Sequence, residues 1–161
     1  MNAEQNKQIE QLYLEMFDKL FLYARSCLES DALAEEAVQE TFRIACQKAD
    51  EVCDSRNCRG WLVLTLKNTI RNIRSGKATA KRIAERYLVA NIKEISFSED
   101  EINLSILYEN VAYMEEFKLL SEYAIEGKSH GEMAKSRGIT VAACKKRVQR
   151  AKEKLQKKIR L

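Results

Sequence analysis

The amino-acid sequence predicts an all-α protein: two small helical domains joined by a linker, the C-terminal one a helix-turn-helix (winged-helix-like) domain. Three observations carry that prediction. The 161 residues include no proline and only five glycines, so little interrupts a helix. Apolar residues recur at steps of three and four along most of the chain, the period of an amphipathic helix. That period lapses at SFSEDEIN (96–103), a polar, acidic stretch suited to a connection between folded units. The length fits two small domains, with boundaries expected at 1–92, a linker at 93–103, and 104–161.

Each element has its own signal. Residues 9–28 place Leu12, Met16, Leu20 and Tyr23, with Phe17, Phe21 and Ala24, on one helical stripe. Ser30 or Asp31 caps a second helix, DALAEEAVQETFRIACQKADEV. Its apolar face is Leu33, Ala37, Val38, Thr41, Phe42 and Ala45, and its polar face is Glu35, Glu36, Gln39, Glu40 and Arg43. DSRNCRG (54–60) is a connector. WLVLTLKNTIRNIRS then buries Trp61, Leu62, Thr65, Leu66, Ile70 and Ile73 and exposes Lys67, Asn68, Arg71 and Arg74. Ser75-Gly76 is expected to break this helix, with helix-prone sequence resuming over 78–95. After the linker, ILYENVAYM and EEFKLLSEYAIEG make two helical pieces, the second ending at Gly127. Ser129 caps a short helix that Gly138 ends, and Thr140 caps the last one, VAACKKRVQRAKEKLQKKI.

Charge divides the chain more finely than its net of +4 suggests. Residues 1–60 carry 7 Lys/Arg against 12 Asp/Glu, residues 61–93 carry 8 against 1, residues 94–127 carry 1 against 9, and residues 128–161 carry 12 against 2. Two basic blocks set between acidic ones imply two separate polyanion contacts, with acidic surfaces left for another partner.

The second basic block has an internal order. In HGEMAKSRGITVAACKKRVQR (130–150), Ala134 is small where two helices must meet, Gly138 suits a left-handed turn, and Met133, Ile139, Cys144 and Val148 are apolar anchors. Arg137 departs from the apolar residue usual before that glycine. Thr140, Ala142, Ala143, Lys145, Lys146, Arg147, Gln149 and Arg150 then face outward as candidate DNA contacts, small residues at the helix start and cations behind. A basic run alone is usually a solvated face. Caps, alanine, glycine and anchors in one register favour DNA reading.

Two stretches together resemble sigma factors of bacterial RNA polymerase, of the compact extracytoplasmic-function subgroup of the sigma-70 family. EEAVQETFRIA (35–45), followed by RGWLVLTLKNTIRN (59–72), is similar to the family's acidic helix, W-L pair and downstream asparagine. EGKSHGEMAKSRGITVAACKKRVQRAKEKL (126–155) is similar to its terminal helix-turn-helix. The resemblance implies promoter-directed transcription initiation in the cytoplasm, with core RNA polymerase and promoter DNA as partners. It implies that Glu35, Glu36, Gln39, Glu40 and Arg43 dock on the clamp helices of the largest subunit, other surfaces meeting the flap, although an amphipathic helix shows such a face to solvent in any case. It implies that Arg56, Asn57, Arg59, Lys67, Asn68, Arg71, Asn72 and Arg74 hold the opened minus-ten element, and that the terminal domain reads the minus-thirty-five element as duplex. Asn72 stands where the family often has aspartate. Trp61, with apolar neighbours one turn away, belongs to the core rather than to a stacking platform. The family also implies an anti-sigma partner. Its leucine-proline step into the last domain is missing, Tyr113-Met114 standing near that place.

Other chemistries find little support. The N-terminus lacks the apolar stretch of a signal peptide, and no apolar run approaches a membrane span, so a cytosolic chain with reduced cysteines and no membrane contact of its own is expected. Cys53 and Cys58 with one distant histidine make no metal set. No nucleophile–base pair or glycine-rich phosphate loop is present, so neither catalysis nor a cofactor is expected. Two rival readings stay open at this level: a stand-alone helix-turn-helix regulator that binds operator DNA as a dimer, and a helical adaptor that binds only proteins.

Overall fold

The computed structural model describes residues 1–28, 30–95 and 114–160, and the expected linker 93–103 and the helical piece ILYENVAYM fall largely outside them. Seven helices are described: α1 Ala3–Leu28, α2 Asp31–Gln47, α3 Ala49–Cys53, α4 Cys58–Ile95, α5 Met114–Ala124, α6 His130–Arg137 and α7 Val141–Arg160. No strand occurs among the described residues. No described helix is long and apolar enough to cross a membrane.

The chain forms two compact units, Met1–Ser75 and Gly76–Leu161. In the first, α1 presents Ile9, Leu12, Met16, Leu20 and Ala24 to a core shared with Ala34, Ala37, Val38 and Phe42 of α2, Val52 of α3, and Leu62, Leu66 and Ile70 of α4. Ser30 is the α2 cap, its hydroxyl accepting from the Leu33 amide at 3.4 Å. The whole expected apolar face of α2 is buried. On α4 the buried side runs through Leu62, Leu66, Thr69 and Ile70, while Trp61, Thr65 and Ile73 are half-buried at its margin. Tyr23 is the clearest departure on α1. It is 41% exposed, bordering a groove that Lys67, Arg71 and Arg74 of α4 also line.

The expected break at Ser75-Gly76 does not occur, since α4 runs on to Ile95. A glycine inside a helix costs about 1 kcal/mol relative to alanine, which packing readily offsets. Here a Cβ on Gly76 would stand 3.3 Å from the Tyr123 hydroxyl, so the missing side chain admits a tyrosine. Packing likewise divides at Ser75–Gly76 rather than near residue 92, because Ala80, Ile83, Ala84 and Tyr87 are buried in the second core. That core continues through Leu119, Leu120 and Tyr123 of α5, Met133 and Ala134 of α6, and Cys144, Val148, Ala151 and Leu155 of α7. Lys77 braces it: its ammonium donates to the carbonyls of Tyr123 (2.7 Å) and Lys128 (2.8 Å) and lies 4.1 Å from the Tyr123 ring centre. Those carbonyls lie at and just beyond the end of α5, where a cation complements the helix dipole.

Candidate nucleic-acid interface

In the second unit the local signals of a helix-turn-helix are all realised. The Ser129 hydroxyl accepts from the Glu132 amide at 3.1 Å while the Glu132 carboxylate accepts from the Ser129 amide at 2.8 Å, a complete capping box. Gly138 ends α6 in the left-handed region (φ 61°). Thr140 caps α7, its hydroxyl accepting from the Ala143 amide at 3.1 Å. Met133, Ala134, Cys144 and Val148 are buried and Ile139 is partly so, which fixes α7 against α5 and α6.

With that face buried, α7 turns Ala142, Lys146, Gln149 and Arg150 fully outward, and Thr140 is exposed at its start. Ala143 and Lys145 are half-buried on the flanks. Arg147 is exposed but shares a cleft of about 270 Å³ with Arg150, Arg137, Lys154 and the carboxylates of Glu115 and Glu116. Gln149 donates to Glu153 at 2.9 Å. Arg137, the residue the motif did not account for, is half-buried: it pairs with Glu122 of α5 at 2.8 Å and donates to the Met133 carbonyl at 3.4 Å. An ion pair occupies the place of an apolar contact.

The eight residues expected at the minus-ten element separate into four settings in the first unit. Arg56 is exposed on the 54–57 connector, and Asn57 accepts from the Gly60 amide at 2.9 Å, so its carboxamide oxygen caps α4. Arg59 is held by Glu15 at 2.8 Å. Asn68 and Asn72 line a groove of about 370 Å³ with Trp61, Leu64, Thr65 and Thr69 of α4, Ile44 of α2, Lys48 and Glu51. Lys67, Arg71 and Arg74 line another, of about 420 Å³, with Tyr23 and Cys27 of α1. Arg74 also donates to the Cys27 carbonyl. Periodicity alone did not show that α4 would present its amides to one groove and its cations to another. Nor did it show Leu64, which stands 64% exposed beside Trp61.

The hydrogen bond from Arg59, aided by its charge, holds the Glu15 carboxyl below the ordinary glutamate range. Any phosphate reaching Arg59 must therefore compete with that carboxylate. An NMR titration is expected to place the Glu15 midpoint low in the wild-type protein and to move it back up in Arg59→Gln. A midpoint indifferent to that substitution would show that the pair does not persist in solution.

On α2, Glu35, Gln39 and Arg43 are exposed while Glu36 and Glu40 are half-buried, and Arg43 pairs bidentately with Glu40 at 2.6 and 2.8 Å. All five share the face opposite the buried stripe. Burial, then the nearby Asp54 and Asp50, pushes the Cys53 thiol up, so it stays protonated and weakly nucleophilic. Among the described residues no group of three or more His, Cys, Asp or Glu side chains is arranged to hold a metal.

Two family models match the chain, in the order the structure displays them. Residues 12–80 match sigma-70 region 2, and residues 115–155 match sigma-70 region 4. The chain belongs to the sigma-70 family. The pairing of region 2 with this form of region 4 is that of a small sigma factor of the extracytoplasmic-function type. No individual curated protein matches it. The region 2 match spans the acidic face of α2, the connector and both grooves, and the region 4 match spans the helix-turn-helix. A sigma factor serves promoter recognition in transcription initiation and is not itself an enzyme.

Proposed function

We propose that this sigma factor binds core RNA polymerase in the cytoplasm and directs it to promoters through two DNA contacts. The first unit holds the polymerase clamp with Glu35, Glu36, Gln39, Glu40 and Arg43 and grips the opened minus-ten element along α4. The second meets the polymerase flap and reads the minus-thirty-five element as duplex through α7. The observation that carries this is α7: a capped helix, anchored by buried Cys144 and Val148, whose outward residues run from small (Ala142) to cationic (Lys146, Arg150). Small residues allow close approach to base edges in the major groove, and the cations behind reach phosphates. Each contact is modest alone, and linkage raises the effective concentration of the second once the first has formed.

Run-off transcription with purified core polymerase and a promoter library tests the proposal. New start sites should appear on adding the protein. Lys145→Ala and Arg147→Ala should each weaken promoter use by about tenfold and reduce the salt dependence of DNA binding by about one counterion, with core-polymerase binding unchanged. A protein that gives no new start sites yet footprints a palindromic operator by itself would be a stand-alone regulator instead.

A further inference from the structure

The cleft of about 270 Å³ in the second unit sets carboxylates among cations that the promoter reading assigns to DNA. Arg147, Arg150 and Lys154 line it from α7, and Glu115 and Glu116 line it from the first turn of α5. Acidic residues in a first turn complement the helix dipole, which accounts for their presence there. It does not account for the difference between them. Glu115 is exposed, whereas the Glu116 side chain is only 15% exposed. The Oε1 of Glu116 accepts from the Lys154 ammonium at 2.6 Å, and its Oε2 is buried with no hydrogen-bond partner among the described residues. A carboxylate shielded from water and bonded through one oxygen only is under-compensated, so nearby cations stabilise it strongly. Arg147 and Arg150, both exposed, share its cleft.

A group that binds phosphates through arginines gains nothing from a carboxylate beside them, because the carboxylate competes for the same guanidinium groups and repels the incoming anion. We propose that Glu116 is a positioning residue that opposes DNA binding: it holds Lys154, Arg147 and Arg150 toward α5, and phosphates must draw them away before α7 seats on a duplex. The inference rests on the reading of α7 as the duplex-contacting helix and adds a restraint to it. Phosphates carry no base identity, so the restraint weighs equally on every sequence. It weakens binding that depends on phosphates alone and leaves base contacts, and linkage to the first contact, to supply the difference.

Fluorescence anisotropy with the full chain tests this, using a labelled duplex of arbitrary sequence and about 20 base pairs, two helical turns. Salt is held at about 0.1 M, where screening confines a charge to its own neighbourhood. Glu116→Gln keeps the shape and removes the charge. It should bind about fivefold more tightly than wild type and steepen the salt dependence by up to about one counterion. Glu10→Gln, which removes the same charge from an exposed position on α1, should stay within about twofold of wild type. In a background of Arg147→Ala with Arg150→Ala, the gain from Glu116→Gln should fall below about twofold, since the partners it releases are gone. Three results would each overturn the proposal: unchanged or weaker binding by Glu116→Gln, an equal gain from Glu10→Gln, or a gain undiminished without the two arginines. A glutamate that only supports the fold would give the weaker binding. Run-off transcription with core polymerase separates this inference from its parent. Wild-type run-off combined with a duplex affinity indifferent to Glu116 removes the restraint and leaves the sigma reading. Absence of run-off combined with the arginine-dependent gain removes the sigma reading and leaves a restrained duplex-binding helix.

Discussion

Leu120→Ala is expected to lower the melting temperature of the second unit by about 10 to 30 °C. Leu120 is fully buried in the second core, among residues contributed by α4, α5, α6 and α7. Removing a buried leucine side chain costs about 2–5 kcal/mol, transfer and cavity terms together. In a unit of this size each kcal/mol moves the transition by about 4–8 °C. Leu66→Ala is the matching test in the first core. Hydrogen exchange should localise the two losses, with amides of α5–α7 deprotected in one variant and those of α1–α3 in the other. Upstream duplex binding should fall with Leu120→Ala as α7 loses its support. A shift of less than about 5 °C would correspond to roughly 1 kcal/mol and would contradict the packing described.

Arg137→Leu is expected to destabilise the second unit by about 1–3 kcal/mol, although it installs the apolar residue usual at that position. The reason lies in the partner. The Glu122 side chain is only 12% exposed, and without Arg137 it keeps the Lys128 ammonium at 3.8 Å. Adding Glu122→Leu should recover most of the loss, a coupling of about 0.5–3 kcal/mol of the kind found between residues in direct contact. Because both groups are largely shielded, the loss should persist when salt is raised. Urea melts of the two single variants and the double variant at low and high salt measure all of this. A neutral Arg137→Leu, or a double variant no better than the single, would remove the ion pair from the account.

Features specified within one helical turn were the legible ones. Ser129 and Glu132 announce a capping box because both partners lie three residues apart, and Gly138 announces its turn because few other residues tolerate that backbone. The buried face of α2 follows from its own spacing, since its partners need only be apolar. What escaped the sequence depends on residues far along the chain. Glycine at 76 is a weak helix breaker in isolation, and Tyr123, which occupies the space it leaves, lies 47 positions away. Tyr23 has the spacing of a core residue, yet it borders a groove that cations of α4 line. Arg137 looked anomalous because Glu122 belongs to another helix. For the candidate site, the outward residues of α7 follow from its buried stripe. The sorting of α4 into an amide groove and a cation groove required knowing which helices it packs against.

The burial of Ala80, Ile83, Ala84 and Tyr87 in the second core bears on how parts of such factors are exchanged. The matched region 4 begins at residue 115, which makes the stretch before it an inviting place to splice a hybrid. A graft starting there would leave the apolar surface of Leu119, Leu120 and Tyr123 without the helical turns that now cover it, and exposed patches of that kind drive self-association. A graft that starts at Gly76 brings its own cover and keeps Lys77 on the carbonyls beyond α5. For recombining promoter specificities, the natural seam of this protein lies inside a helix rather than in the acidic stretch that resembles a joint.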